Sequence, residues 1–198
     1  MNGRTATSKT PGGFLHFLWA CLLKQQQTGS IVPSQRFLIA RMIAPVPADY
    51  SGQIIELGPG NGALTLRLAA KCPRARILAC EINPVLARDT RANLAAAGLD
   101  RRVEVISDSA EHLLAERARN GAPLADFIIS GIPLGHLERA QTLGLLETIH
   151  GALRKRGMYI QFQYTLIDRK KIKARFSHLR TVPALLNFPP ALVYYAWK

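Results

Sequence analysis

Apolar residues in this chain fall into short runs. Longer stretches in which they recur every third or fourth position separate those runs. Gln53–Leu57, Arg76–Cys80, Val103–Ser107, Ala125–Ser130 and Gly157–Tyr164 are the short runs, each about one strand long. Ala125–Ser130 reads as a buried strand. Between the runs, Ala63–Lys71, Pro84–Ala97, Ala110–Arg119 and a segment within Leu137–Leu153 carry helical spacing, and Gly98 stops the second of these. An earlier helix starts at Pro33 and Ser34, with Ser34 as N-cap before Phe37, Leu38, Ala40, Arg41 and Met42; Pro45 and Pro47 close it. This alternation predicts right-handed β-α-β units on a parallel sheet. After Tyr164 the pattern changes. A short helix over Lys170–Phe176 precedes strands over Thr181–Phe188 and Ala191–Trp197, on either side of Pro189-Pro190. The expected fold is α/β: a mostly parallel seven-stranded sheet, helices on both faces and an antiparallel C-terminal strand.

Ahead of this pattern lies a different segment. Residues 1–12 are polar, with glycine and proline, and residues 13–24 are strongly apolar and aromatic. We therefore divide the chain into an N-terminal tail and amphipathic helix over 1–29 and a main domain over 30–198. The apolar stretch from Phe14 to Leu23 is far short of the roughly 20 residues of a membrane span. It also lacks the basic leader and cleavage site of a signal peptide. A helix of this kind, with Trp19 and a terminal Lys24, suits either a membrane interface or a place over the sheet.

Charge sharpens the picture. The formal net charge is +13, but residues 51–150 balance eleven basic against eleven acidic groups. Residues 1–50 set five basic groups against Asp49, and residues 151–198 set ten against Asp168. A neutral middle with basic ends points to an anionic partner, nucleic acid or acidic lipid. Cys21, Cys72 and Cys80 are odd in number and share no ligand spacing, so neither a disulfide framework nor a metal site is expected. Few cysteines fit a reducing cytoplasm.

The chemistry concentrates at strand ends. Glu56-Leu57-Gly58-Pro59-Gly60-Asn61-Gly62 follows one strand and opens a helix, the context in which a glycine run becomes informative. Glycines let the backbone turn sharply and approach a ligand closely. The run has no Lys-Ser/Thr pair, which argues against a triphosphate loop. Glu56 suits a ligand carrying an ammonium group, such as the methionine part of S-adenosylmethionine. Glu81 ends the next strand, nineteen residues after Gly62, where a carboxylate can accept from both ribose hydroxyls. Asp108, followed by Ser109, ends the third strand and can accept from an adenine amine. Ser130-Gly131 ends the fourth, beside the expected position of a transferable methyl. Singly, each has a plainer reading, Glu81 as a surface carboxylate and Asp108 as a helix N-cap. A dinucleotide-binding dehydrogenase shares part of the pattern.

Taken together, the order and spacing resemble the Rossmann-like class I methyltransferases over about residues 30–198. The resemblance implies S-adenosyl-L-methionine as cofactor, S-adenosyl-L-homocysteine as product, and no metal. It adds Gln35 and Ile82 to the cofactor-binding set of Glu56, Gly58, Pro59, Gly60, Gly62, Glu81, Asp108, Ser109, Ser130 and Gly131. Two families within the class compete. Glu56 to Thr65, with Ser34 to Leu38 upstream, is similar to ribosomal RNA adenine dimethylases. That family carries Asn-Leu-Pro-Tyr or a near equivalent after strand four, where this chain has Ser130-Gly131-Ile132-Pro133-Leu134. It also has a C-terminal helical domain for which this chain has no room. Bacterial phospholipid N-methyltransferases, which act on phosphatidylethanolamine, are resembled over nearly the whole chain. The matching stretches are Thr28–Ser34, Ser130–Leu134, Gln161–Tyr164 and Asn187–Ala191.

That second resemblance implies an amine attacking the sulfonium methyl, with His136 or Tyr164 as general base. Arg180 and the cluster Arg169, Lys170, Lys171, Lys173 and Arg175 would face the lipid phosphate, and Asn187 would either touch substrate or shape the Pro189-Pro190 turn. The partner would be an anionic phospholipid surface, and the location cytoplasmic, peripheral on the inner face of the membrane. RNA methylation stays open as the alternative. A cofactor-binding protein without activity is a third reading, because Ser130 replaces a more committed catalytic side chain.

Overall fold

The computed structural model describes residues 35–187 and 189–198. The expected interface helix over 13–24 and the Ser34 cap lie outside the described residues. The elements, in chain order, are α1 (Gln35–Ile43), β1 (Gln53–Leu57), α2 (Ala63–Lys71), β2 (Arg76–Glu81), α3 (Pro84–Ala96), β3 (Val103–Ser107) and α4 (Ala110–Arg119). There follow β4 (Ala125–Ser130), a 3-10 turn at Leu134–His136, α5 (Arg139–Ala152), β5 (Leu153–Gln163), α6 (Arg169–Arg175), β6 (His178–Ala184) and β7 (Ala191–Trp197).

All seven strands join one sheet in the order β3-β2-β1-β4-β5-β7-β6. Strands β1 to β5 run parallel, and β7 lies antiparallel between β5 and β6. The chain steps outward from β1 to β3, then returns to place β4 on the other side of β1. That reversal opens a crevice at the carboxyl ends of β1 and β4, where ligands bind in sheets of this type.

Local chemistry sets the helix boundaries. Asn83 caps α3 by accepting from the Val85 and Leu86 N–H groups at 2.9 and 3.4 Å, and Pro84 opens that helix. Ser109 caps α4 by accepting from the His112 N–H at 3.1 Å. At α5, Gln141 Oε1 accepts the Glu138 N–H at 2.9 Å. Strand β5 is longer than its apolar run, starting at Leu153 and not Gly157, and it ends one residue before Tyr164. An irregularity explains the extra length. Ala125 pairs with Leu153 but Phe127 pairs with Met158, and Arg156 adopts a positive φ of 66° in the excursion. Strand β6 begins earlier than Thr181 and stops at Ala184, before Leu185 and Leu186 leave the sheet.

Each sheet face has its own core. Leu113 and Leu114 of α4, Leu145, Leu146 and Ile149 of α5 and Ile172 of α6 cover one face, meeting Ile55, Leu57, Ile128 and Tyr159. Leu38 and Met42 of α1, Leu68 and Ala69 of α2 and Leu94 of α3 cover the other, meeting Ile54, Ile77, Ile129, Ile160 and Val193. The alternation Ile54/Ile55 and Ile128/Ile129 thus feeds both cores from single strands. Tyr195 ties α1 down by donating its hydroxyl to the Arg41 carbonyl at 2.6 Å. Among the described residues, no helix is long and apolar enough to cross a membrane.

Leu146 is fully enclosed in the first core. Leu146→Ala should lower the unfolding free energy in urea by about 2–5 kcal/mol. A loss below about 1 kcal/mol would mean that α5 does not seal this face.

Candidate active site

The loop after β1 is shaped by three glycines with left-handed backbones, Gly58, Gly60 and Gly62, at φ of 72°, 61° and 83°. The neighbouring strand and helix hold it. The Gly58 N–H donates to the Cys80 carbonyl at 2.8 Å, and the Gly60 N–H donates to Glu81 Oε2 at 3.0 Å. From α3, the Thr90 hydroxyl donates to the Gly60 carbonyl at 2.6 Å, and the Asn93 amide donates to the Asn61 carbonyl at 3.1 Å. Pro59 accepts the Gly62 N–H at 3.0 Å, which closes the turn into α2.

Two carboxylates flank this loop. Glu81 is buried; its second oxygen accepts the Asn83 N–H at 3.0 Å. Each carboxylate oxygen has about two acceptor directions, so Glu81 keeps one on each for a ligand. Glu56 is also buried, and its Oε2 has no hydrogen-bond partner among the described residues. Burial pushes its carboxyl up to about 8, with Glu81 adding to the rise and the neighbouring Thr65 hydroxyl offsetting part of it. An enclosed acid with an idle oxygen beside a glycine loop is the arrangement that a cationic ligand would complete.

Next to it the loops after β1 and β4 pass backbone to backbone. The Gly131 N–H donates to the Leu57 carbonyl at 2.8 Å, and a Cβ at Gly131 would stand 2.7 Å from the Gly58 carbonyl oxygen. Ser130 is enclosed, and its hydroxyl accepts the Ile132 N–H at 3.2 Å. Below this turn sits a polar chain that patterning did not single out as part of a site. Tyr159 donates its hydroxyl to Gln161 Oε1 at 2.5 Å, and Gln161 Nε2 donates to the Ile132 carbonyl at 2.9 Å. Gln161 thereby fixes the turn after β4. A glutamine within the apolar run of β5 was the available signal for it. Thr90 and Asn93, three apart on α3, gave a similar signal.

The other expected site residues are distributed along the same edge. Ile82 is exposed just after Glu81. Asp108 accepts from the Ser109 N–H at 2.7 Å and lies 2.5 Å from His112 Nδ1; the N-cap of α4 is Ser109, not Asp108. Its partner His112, and then the Ser109 N–H, hold the Asp108 carboxyl below its usual range, and Asp108 raises His112 in return. His136 is exposed on the 3-10 turn, while Tyr164, half-buried just past β5, packs edge-on against Phe162. Gln35 opens α1. Lys170 and Arg180 are exposed on α6 and β6. Asn187 is buried, and its amide donates to the Pro189 carbonyl at 2.7 Å. It shapes the Pro189-Pro190 turn, one of the two roles the sequence left open for it.

Known proteins share this fold. A family model described as "Methyltransferase domain" matches residues 54–157. An ornithine lipid N-methyltransferase from Singulisphaera acidiphila is 24% identical over 84% of this chain and 86% of its own length. A tRNA1(Val) (adenine(37)-N6)-methyltransferase from Porphyromonas gingivalis is 32% identical over 43% of this chain and 34% of its own length. Among solved structures, the N-methyltransferase NodS from Bradyrhizobium japonicum, with S-adenosyl-L-homocysteine bound, superposes with a TM-score of 0.67 at 14% identity. That match covers 90% of this chain and 97% of that one. The chain belongs to the methyltransferase domain family; it is an S-adenosylmethionine-dependent enzyme with the Rossmann-like fold of that class.

Glu56 makes the site testable in the cofactor-free protein. Its carboxyl ionises near 4.5 in the unfolded chain and near 8 in the fold, so the cofactor-free fold loses stability as pH rises between those values, then levels off. Glu56→Gln should remove that loss, melting higher than wild type at pH 9 and converging with it toward pH 5. Parallel melting curves across this range would show that Glu56 is not enclosed as described.

Proposed function

We propose that this enzyme N-methylates the primary amine of a membrane aminolipid, with phosphatidylethanolamine the first headgroup to test and an ornithine-type lipid the second. One observation carries the reading. The lipid-acting relative aligns along most of both chains, whereas the tRNA-acting relative aligns over less than half of this one. The turn Ser130–Leu134 adds support. It offers neither an aromatic platform for a base nor a side-chain amide to hold an exocyclic amine, the devices that base-reading sites use.

In this reading residues 30–198 are the methyltransferase domain and residues 1–29 a separate segment that meets the membrane. The glycine loop Gly58, Pro59, Gly60 and Gly62 lies against the cofactor, with Gln35 at the entrance. Glu56 takes the ammonium group of its methionine part. Glu81 takes the ribose hydroxyls through the free acceptor directions on its two oxygens. Ile82, Asp108 and Ser109 line the adenine, and Ser130 and Gly131 face the reacting methyl. The bound cofactor supplies a sulfonium whose methyl is already activated. The protein's own contribution is then to align the amine, exclude water and favour its neutral form by burial. His136 or Tyr164 accepts the amine proton. Lys170 and Arg180 attract the headgroup phosphate.

The direct test incubates the protein with methyl-labelled cofactor and, separately, phosphatidylethanolamine vesicles, ornithine-lipid vesicles and ribosomal RNA. Label should enter a lipid. Label in RNA alone would overturn the lipid assignment and favour the nucleic-acid alternative. The site assignment is tested on its own by calorimetry. Glu81→Ala removes charge-assisted hydrogen bonds worth about 1.5–3 kcal/mol each, so cofactor affinity should fall roughly ten- to hundredfold or more. Unchanged affinity would remove Glu81 from the cofactor site.

A further inference from the structure

Four large apolar side chains are left in solvent at one edge of the sheet. Leu166 and Ile167, in the connection from β5 to α6, are 57% and 60% exposed. Leu185 and Leu186, in the connection from β6 to β7, are 71% and 67% exposed. The strand register places the two connections at one end of the sheet. Gln163 pairs with Leu192 across β5 and β7, and Ala184 pairs with Ala191 across β6 and β7. Both connections therefore leave the sheet at the same end, on neighbouring strands. Tyr194 fastens them further by donating its hydroxyl to the Thr165 carbonyl at 3.3 Å. Asn187 stiffens the second loop through Pro189.

That end is also the carboxyl end of β1, β2 and β4, where the glycine loop and the Ser130 turn sit. The apolar tips thus stand on the rim of the proposed active site. Basic groups border them. Helix α6 starts two residues after Ile167, and its Lys170 and Lys173 are exposed. Apolar tips beside lysines are complementary to a bilayer interface, where acyl chains receive the tips and anionic headgroups meet the ammonium groups.

We infer that Leu166, Ile167, Leu185 and Leu186 form a docking rim that inserts into the interface of an anionic phospholipid bilayer, with Lys170 and Lys173 against its phosphates. This deepens the aminolipid reading and rests on it for its catalytic meaning. Docked this way, the crevice opens onto the leaflet, and a headgroup amine enters it without its acyl chains leaving the bilayer. The rim is separate from the N-terminal segment as a source of membrane affinity.

The test uses the full chain with all four tips replaced by serine, L166S/I167S/L185S/L186S. These side chains are more than half exposed, so the melting temperature and cofactor affinity should match wild type. Sedimentation with phosphatidylglycerol/phosphatidylcholine vesicles should show wild-type partitioning reduced about tenfold or more in the variant. Wild-type partitioning should also weaken with added salt and on pure phosphatidylcholine. Turnover is then compared on long-chain phosphatidylethanolamine in those vesicles and on a short-chain phosphatidylethanolamine below its micellar concentration. The variant should lose vesicle turnover and keep turnover on the monomeric lipid. Unchanged partitioning of the variant, or no partitioning of wild type, overturns the docking rim. Absence of labelled lipid with wild type in both forms overturns the aminolipid reading instead, and sedimentation still decides the rim.

Discussion

Everything at the site depends on how closely two backbones pass where β1 and β4 end. The Gly131 N–H meets the Leu57 carbonyl, and Gly131 stands so near the Gly58 carbonyl that a methyl group has no room. The loops after β1 and β4 are thereby locked at one separation. The first carries the oxygens and amides of the glycine run, and the second follows Ser130, the last residue of β4. Neither loop is left to find its own position. Thr90 and Asn93 hold the first from α3, and Gln161 holds the second from β5. Each of these is a polar side chain on a regular element bonding a loop carbonyl, so the rigidity of helix and strand passes to the loop.

The same clamp explains why two acids sit side by side in an enclosed place. Glu81 serves the fold, because its oxygens take the N–H groups of Gly60 and Asn83 that the turns leave over. Glu56 differs: its Oε2 lacks a partner among the described residues, and its carboxyl holds its proton to about pH 8. A buried acid with an unpartnered oxygen costs the fold something. Its position at the end of β1 makes sense as preparation for a positive ligand. An arriving cation favours the ionised form, and the proton that burial retained is released. One acid is structural and available; the other is held in reserve.

Much of this was legible beforehand, and the reasons are specific. The central strands are apolar on both faces, so their runs stand out from the helical spacing around them. The four strand-end motifs were readable because glycines and acids interrupt those runs at one place each. What escaped was everything that depends on partners distant in sequence. Gln161 looks like an ordinary polar residue until Tyr159 and the Ile132 carbonyl meet it. The extra turn of chain at Arg154–Gly157 lengthens β5 through an irregular register that no period predicts. The Leu185–Leu186 pair reads as the continuation of a strand, yet both residues turn outward past Ala184.

Charge and apolar surface divide the labour in a way composition alone did not reveal. The balanced middle of the chain builds β1 to β4 and the cofactor crevice, where stray cations would compete for Glu56 and Glu81. Arg154, Lys155 and Arg156 open β5 at the end away from the crevice, and six of the ten basic groups of the last segment lie on α6 and β6. Positive charge there attracts an anionic surface at long range without neutralising Glu56 and Glu81. Attraction alone does not distinguish RNA from lipid, because phosphates are common to both. The distinction falls to what surrounds the charge. Aromatic platforms that stack bases would favour RNA, and exposed aliphatic tips favour acyl chains. Around this crevice the tips are leucine and isoleucine, so the surface chemistry and the turn after β4 lean toward the same substrate from independent residues.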